Sequence, residues 1–373
     1  MKIKAAVVDN VGDPFKIKDD VELADMTDDG LQVKVVASGI CHSDEALRKG
    51  DAAFTFPVVL GHEGSGIVEK VGKNVSNFKP GDHIVMSFYS CGECDNCLKG
   101  KPTQCRKYAA SNLSGTRPDG SDHFTEDGHH VSDMFNQSSF TTHTVIDKRN
   151  AVKVPKNLDL RKLGPLGCGY VTGSGTVFNT LQPKPGDTIA VFGTGAVGLA
   201  AMMAGKISGC VNVIAVDIVD SRLELAKKLG ATDVINSKNE DAVAAIKKIT
   251  GGLGVDWAVD TTGVAKVMTD SIAALTQGGT SATIAVTPHN IDISTWNDLC
   301  VDDKKVVGVN MGDAIPQIDI PRLIKFYQMG VFPFDLTEKM YDFDQINEAN
   351  QDSINGTTIK PILVIDKDYQ PEA

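Results

Sequence analysis

The sequence predicts an α/β chain of two domains, one mostly β and irregular, the other a doubly wound parallel sheet. Three observations carry the prediction. The chain has 373 residues, 42% of them hydrophobic and 23% charged, enough for two ordinary globular cores. Residues 1 to about 150 alternate short β-rich runs with Gly, Asp, Pro and Asn turns. From Pro185-Gly186-Asp187 onward, strand and helix patterns alternate, as a parallel sheet with crossover helices requires.

In chain order, Leu31 to Ala37, Gly66 to Val71 and His83 to Ser87 read as strands, and Ser111 to Ser139 as a long surface loop. Thr188 to Phe192 is a short apolar strand, Val197 to Ile207 a helix, Val211 to Val216 a second strand and Ser221 to Leu229 another helix. Asp241 to Ile249 and Val264 to Leu275 follow as helices around strands Asp256 to Val259 and Thr280 to Val286. The tail from 311 offers a helix, Pro321 to Met329, and a strand, Ile362 to Ile365, that returns to the first domain. The expected boundaries are therefore residues 1–169 with 311–373 for the first domain and 170–310 for the second.

The net charge of -11 has no long basic block, which argues against nucleic-acid binding and against attraction to anionic membranes. Small molecules are the expected partners. The first fifteen residues carry charges at 2, 4, 9 and 13, so no signal peptide is expected, and no later run has the length of a membrane span. A cytoplasmic location follows as an expectation. There, the eight cysteines read as metal ligands and free thiols rather than disulfides.

Four of them, Cys91, Cys94, Cys97 and Cys105, stand at C-x2-C-x2-C-x7-C in a lobe of about residues 90–106. Four soft thiolates from one short loop match a closed tetrahedral zinc site. Cys41, His62 and Cys168 offer a second zinc three ligands and one open position, the arrangement used when a metal must also meet substrate. Cys210 and Cys300 read as ordinary small residues, and His83, His123, His129, His130, His143 and His289 as surface or satisfied core residues.

Gly193-Thr194-Gly195-Ala196-Val197-Gly198 lies between a predicted strand and helix. Its glycines Gly193, Gly195 and Gly198, with Val197, permit a tight turn and close approach of a pyrophosphate to the helix N-terminus, as in a Rossmann dinucleotide site. Asp217 ends the next strand about 20 residues on, where a carboxylate accepts ribose hydroxyls and repels a 2′-phosphate. NAD is therefore expected over NADP.

Cys41-His42-Ser43-Asp44, Gly61-His62-Glu63-Gly64-x-Gly66 with Val71-Gly72, the four-cysteine lobe, and Gly167-Cys168-Gly169 followed by Thr172-Gly173 together resemble the zinc-dependent medium-chain alcohol dehydrogenases, over essentially the whole chain. The resemblance implies a GroES-like catalytic domain, a Rossmann coenzyme domain, two zinc ions per chain, NAD, and a homodimer or homotetramer. It places Cys41, His62 and Cys168 at the catalytic zinc, Glu63 beside the metal as an alternate ligand or a residue just behind the ligands, and Asp44 as the carboxylate orienting the histidine. It assigns Ser43 to the substrate oxygen and its proton, with a helix cap as the plainer role. Thr172, His42 and Lys360 are placed at the cofactor and Arg222 near its adenosine ribose, though each basic group also reads as an ordinary solvated charge.

The implied chemistry is Lewis-acid activation of an alcohol with hydride passing to nicotinamide, reversible towards the aldehyde. Well-known members have a histidine at the position of Ala46 that ends the proton relay. Aryl-alcohol (benzyl-alcohol type) members lack it, and Cys168-Gly169-Tyr170 and Ser90-Cys91-Gly92-Glu93-Cys94 are similar to theirs. A primary alcohol with an aromatic or allylic body, bound against Phe88, Val286 and Val197, is the expected substrate, with general aliphatic alcohols as the alternative. A non-catalytic dinucleotide-binding protein is a further alternative, disfavoured by the intact Cys41, Ser43, His62 and Cys168.

Overall fold

A computed structural model describes residues 1–372. The chain forms two compact units: Met1–Cys168 with Ile315–Arg322 and the tail from Asp335, and Gly169–Ala314 with Leu323–Phe334. The tail expected to return whole to the first domain is thus divided. Leu323–Phe334 belongs to the second unit because its aromatic rings pack there: Phe326 on Phe178 at 5.8 Å, and Phe334 on Tyr170 at 5.0 Å. Residues 311–314 also lie with the second unit, where Asn179 Nδ2 donates to the Gly312 carbonyl at 3.0 Å.

The first unit holds two sheets. One has five strands in the order Val58–Val59, Lys2–Val8, Lys16–Leu23, Phe124–Glu126, His129–Val131. Its buried face collects Ile3, Ala5, Val7, Val21, Leu23, Val59, Phe124 and Val131, and each Val, Leu, Ile or Phe among them contributes roughly 1.5–3 kcal/mol on burial. The other has seven strands, with Gly30–Gly39 antiparallel to Gly64–Val71, to His143–Asp147 and to Lys360–Val364. Register positions the site. Ser38 pairs with Gly64 and Gly39 with Ile362, so Cys41, His62 and Glu63, just beyond two strand ends, and Lys360, which opens its strand, come to one edge of the sheet.

The helix His42–Lys49 starts from that edge. Cys41 is its N-cap, with a reciprocal box in which Asp44 accepts the Cys41 N–H at 2.9 Å. Ser43 is therefore not the cap. Glu45 anchors the helix from inside: Arg48 engages both carboxylate oxygens at 2.7 and 3.0 Å and Asn350 donates at 2.8 Å. Burial works against its charge, yet these donors bring its pKa down to about 2.

The segment 111–139, expected as a surface loop, is exposed at 118–122 and 127–129 but buried throughout 131–139. It contains the hairpin Phe124–Glu126 with His129–Val131, and Gln137, Ser138 and Ser139 are fully buried. Its polar side chains serve the protein's own backbone rather than water, which is why composition alone misplaced it.

The second unit is a six-stranded, all-parallel sheet in the order Asp233–Asn236, Asn212–Asp217, Thr188–Phe192, Val255–Asp260, Leu275–Thr283, Lys305–Gly308. This is the doubly wound order with its switch at the first strand. Helix Ala196–Ile207 lies close on the sheet because it carries small residues: a Cβ on Gly205 would stand 2.9 Å from Ile189. The expected helix Val264 to Leu275 is Ala265–Ala273, and the expected strand Thr280 to Val286 is Leu275–Thr283. Gly278 and Gly279 interrupt that strand's apolar pattern and hid its start. No helix of the described residues is long and apolar enough to cross a membrane.

Candidate metal and dinucleotide sites

The sulfurs of Cys41 and Cys168 and a ring nitrogen of His62 lie within 4.8 Å of one another, and all three residues are buried. Cys41 follows the strand Gly30–Gly39, His62 precedes the strand Gly64–Val71, and Cys168 follows the short helical turn Gly164–Gly167. Gly167, before Cys168, is pressed on the strand His83–Met86, where a Cβ would come within 1.9 Å of the Met86 carbonyl. The Ser87 hydroxyl also donates to the Gly167 carbonyl at 2.6 Å.

Asp44 holds the histidine. Its Oδ1 lies 3.0 Å from His62 Nδ1 and accepts the Gly61 N–H at 3.0 Å. With Nδ1 bound to a carboxylate, Nε2 is the nitrogen left for a metal. Burial opposes a charge on His62, but Asp44 and Cys41 outweigh it and raise its pKa well above the usual value. The Cys168 hydrogen bond holds the Cys41 thiol well below its usual range, while Cys168 rises in return. Two cysteine sulfurs beside an oriented imidazole are a donor set that suits zinc.

Glu63 is not part of that three-residue group. Both its oxygens take the Lys360 ammonium, at 3.0 and 2.8 Å, and Lys360 also donates to the Ile40 carbonyl at 3.2 Å. Glu63 thus faces a cation of the protein beside the three donors, and Lys360 is buried with it. A fully buried carboxylate needs a partner, and burial still leaves the Glu63 pKa raised.

Three supporting residues carried no signal in the sequence. Gln137 Nε2 donates to the carbonyls of His62 at 3.1 Å and Ser87 at 3.2 Å. Ser139 bonds Ser38 at 2.6 Å, and Phe135 lies 5.0 Å from the His62 ring. Phe135 continues a series of aromatic contacts through Tyr108, at 6.3 Å, to Phe88, at 5.6 Å from Tyr108. Phe88 is buried within it. Ser43 is half-buried, its hydroxyl 3.8 Å from the Cys41 sulfur, whereas His42 is exposed and Ala46 is buried.

In the lobe, the four sulfurs of Cys91, Cys94, Cys97 and Cys105 also lie within 4.8 Å of one another. Their hydrogen-bonded separations of 3.5 to 3.9 Å are far beyond a disulfide, and all eight cysteines are free. The cluster around them consists of Tyr89 and Tyr108 besides the cysteines themselves. So small an apolar core cannot order the loop, which leaves the cysteines to do so through a metal. Backbone N–H donors of Arg106 and Cys97 pull Cys94 down to about 6, and Arg149 donates to the Cys91 carbonyl.

In the second unit, Gly193 needs its positive φ of 89°, and Gly198 lets the helix approach: a Cβ there would lie 1.8 Å from the Gly193 carbonyl. Gly195 has a different character. A Cβ on it meets no protein atom within 4 Å, so the protein's own packing does not demand glycine there, whereas a pyrophosphate on this helix N-terminus would. Val197 is half-buried, its carbonyl 1.9 Å from where a Cβ on Gly173 would stand, next to Thr172. Arg222 keeps a buried Nε without a hydrogen-bond partner. These features fit a dinucleotide. Val286 is 56% exposed, a surface residue of this unit.

Fold and donor sets together define a zinc-binding dehydrogenase. Family models agree: residues 27–156 match the alcohol dehydrogenase GroES-like domain and residues 196–328 the zinc-binding dehydrogenase domain. The chain belongs to the zinc-dependent medium-chain alcohol dehydrogenase family, a family of oxidoreductases. It is 41% identical to a geraniol dehydrogenase of Castellaniella defragrans over 97% of both chains, and 36% identical to an NDMA-dependent alcohol dehydrogenase of Amycolatopsis methanolica over 98% of this chain and 99% of that one. The crystal structure of benzyl alcohol dehydrogenase from Acinetobacter calcoaceticus superposes with a TM-score of 0.94 at 42% identity, covering 98% of this chain and 99% of that one.

Proposed function

We propose that this protein interconverts a primary alcohol bearing an aromatic or allylic body and its aldehyde, with NAD as the hydride acceptor. The observation that carries the reading is the group Cys41, His62 and Cys168: three buried donors from three separate segments, one fewer than the closed set in the lobe. A zinc held there supplies Lewis acidity towards the alcohol oxygen, and a nicotinamide dinucleotide on the Gly193–Gly198 turn supplies the hydride acceptor.

The chain's own residues do the rest. Asp44 fixes the His62 tautomer and strengthens the ring as a ligand. Ser43 takes the alcohol proton and passes it outward, because Ala46 offers no imidazole to continue a relay. Lys360 keeps Glu63 paired, so that the carboxylate stays out of the position the substrate needs. Phe88, Tyr108 and Phe135 extend from His62 as a run of aromatic rings, and such a wall favours flat, apolar alcohols over short aliphatic ones. The names of the relatives, geraniol and benzyl alcohol dehydrogenases, support the same substrate class.

An initial-rate panel tests this. Benzyl, cinnamyl and geraniol-type alcohols should give kcat/KM at least about 100-fold above ethanol, given about 1–3 kcal/mol for each extra apolar contact, and NAD should serve better than NADP. A preference for ethanol would refute the substrate class. Turnover with NDMA but with neither NAD nor NADP would refute the assignment of NAD as the exchanging acceptor.

A further inference from the structure

We propose that Thr194 sets the choice between dinucleotides, by clamping the Asp217 carboxylate in the orientation that accepts an adenosine ribose with a free 2′-hydroxyl. This rests on the NAD reading above. Asp217 closes the strand Asn212–Asp217, and four donors hold its carboxylate. Oδ2 accepts the Thr194 N–H at 2.6 Å and the Thr194 hydroxyl at 2.7 Å, and Oδ1 accepts the N–H groups of Ile218 at 2.7 Å and Val219 at 3.0 Å.

None of those four donors is charged, so they orient the carboxylate without neutralising it. Three belong to the backbone and would remain with almost any sequence. The Thr194 hydroxyl alone is a choice of side chain, on a β-branched residue whose χ1 is stiff. Thr194 is fully buried while Asp217 keeps 7% exposure, so the clamp acts from the interior and leaves the outer side of the carboxylate for a ligand. Broad acceptor geometry lets each oxygen take a further hydroxyl on that side. A 2′-phosphate would meet a fixed, uncompensated negative charge. Thr194 is thus a positioning residue: it acts on the ribose through Asp217.

The test is equilibrium binding of NADH and NADPH, read by cofactor fluorescence, to wild type, Thr194→Val, Thr194→Ala and Thr194→Ser. Losing one hydrogen bond to an ionised group should weaken NADH binding about tenfold in Thr194→Val with little change for NADPH, so that the NADH-to-NADPH preference narrows about tenfold. Thr194→Ser should restore it. Thr194→Ala gives the same readout if the valine variant does not fold. A preference unchanged in Val and Ala, or both dinucleotides weakened by one common factor with no rescue by Ser, overturns the role of Thr194. Wild-type protein that binds NADPH as tightly as NADH overturns the NAD reading itself, and this proposal with it.

Discussion

Replacing Cys168 by serine is expected to lower the zinc content from two ions to one and to reduce alcohol turnover at least about 1,000-fold, since Lewis-acid stabilisation contributes several kcal/mol to such a transition state. Cys168 is one of three donors from three separate segments, so the site has no spare ligand among them. Glu63 does not fill the gap readily, because Lys360 holds both its oxygens. The lobe cysteines stand in their own cluster and should keep their ion. Metal analysis of the purified variant beside wild type, with initial rates, checks both halves. Two zinc ions with normal turnover would remove Cys168 from the metal site.

Replacing Cys97 by serine should have the opposite signature. The ion lost is then the lobe's, and the loss should appear as stability: at least about 3 kcal/mol, a modest share of what a structural zinc contributes to a small metal-dependent fold. The lobe's apolar cluster holds just the buried Tyr89 and the partly buried Tyr108 besides its cysteines, and its surface pairs, Arg106 with Asp95 and Lys107 with Glu93, are exposed and contribute little. Limited proteolysis should therefore cut the variant between residues 91 and 105 before any other segment. A Cys97→Ser protein with wild-type denaturation and protease resistance would mean that the loop is ordered without metal.

These two sites differ in how visible they are in a sequence. The lobe's ligands and the glycines of the dinucleotide turn are local, so spacing alone reveals them. Cys41 and His62 are brought together by register, Ser38 on Gly64, and Cys168 joins them from the end of the Gly164–Gly167 turn, an assembly that no local pattern contains. The pairing of Lys360 with Glu63 also depends on register, Gly39 on Ile362, which local spacing does not show. Gln137 and Ser139 went unread because polar residues in a Gly-rich, Asp-rich segment look like a solvated loop, whereas here they satisfy buried carbonyl and hydroxyl groups at the site. In the second unit the alternation of strands and helices was plain, but the edge strand Lys305–Gly308 is four residues long and only partly buried, too short for periodicity to mark.

Isotope transfer decides whether the assembled residues carry out alcohol oxidation. Purified protein is incubated with NAD and benzyl alcohol carrying two deuterons on the alcohol carbon, and the reduced cofactor is analysed by mass and NMR. Direct hydride transfer predicts NADH with one deuterium at nicotinamide C4 and benzaldehyde that retains the other. NADH bearing only protium at C4, or aldehyde formed without reduced cofactor, would contradict it.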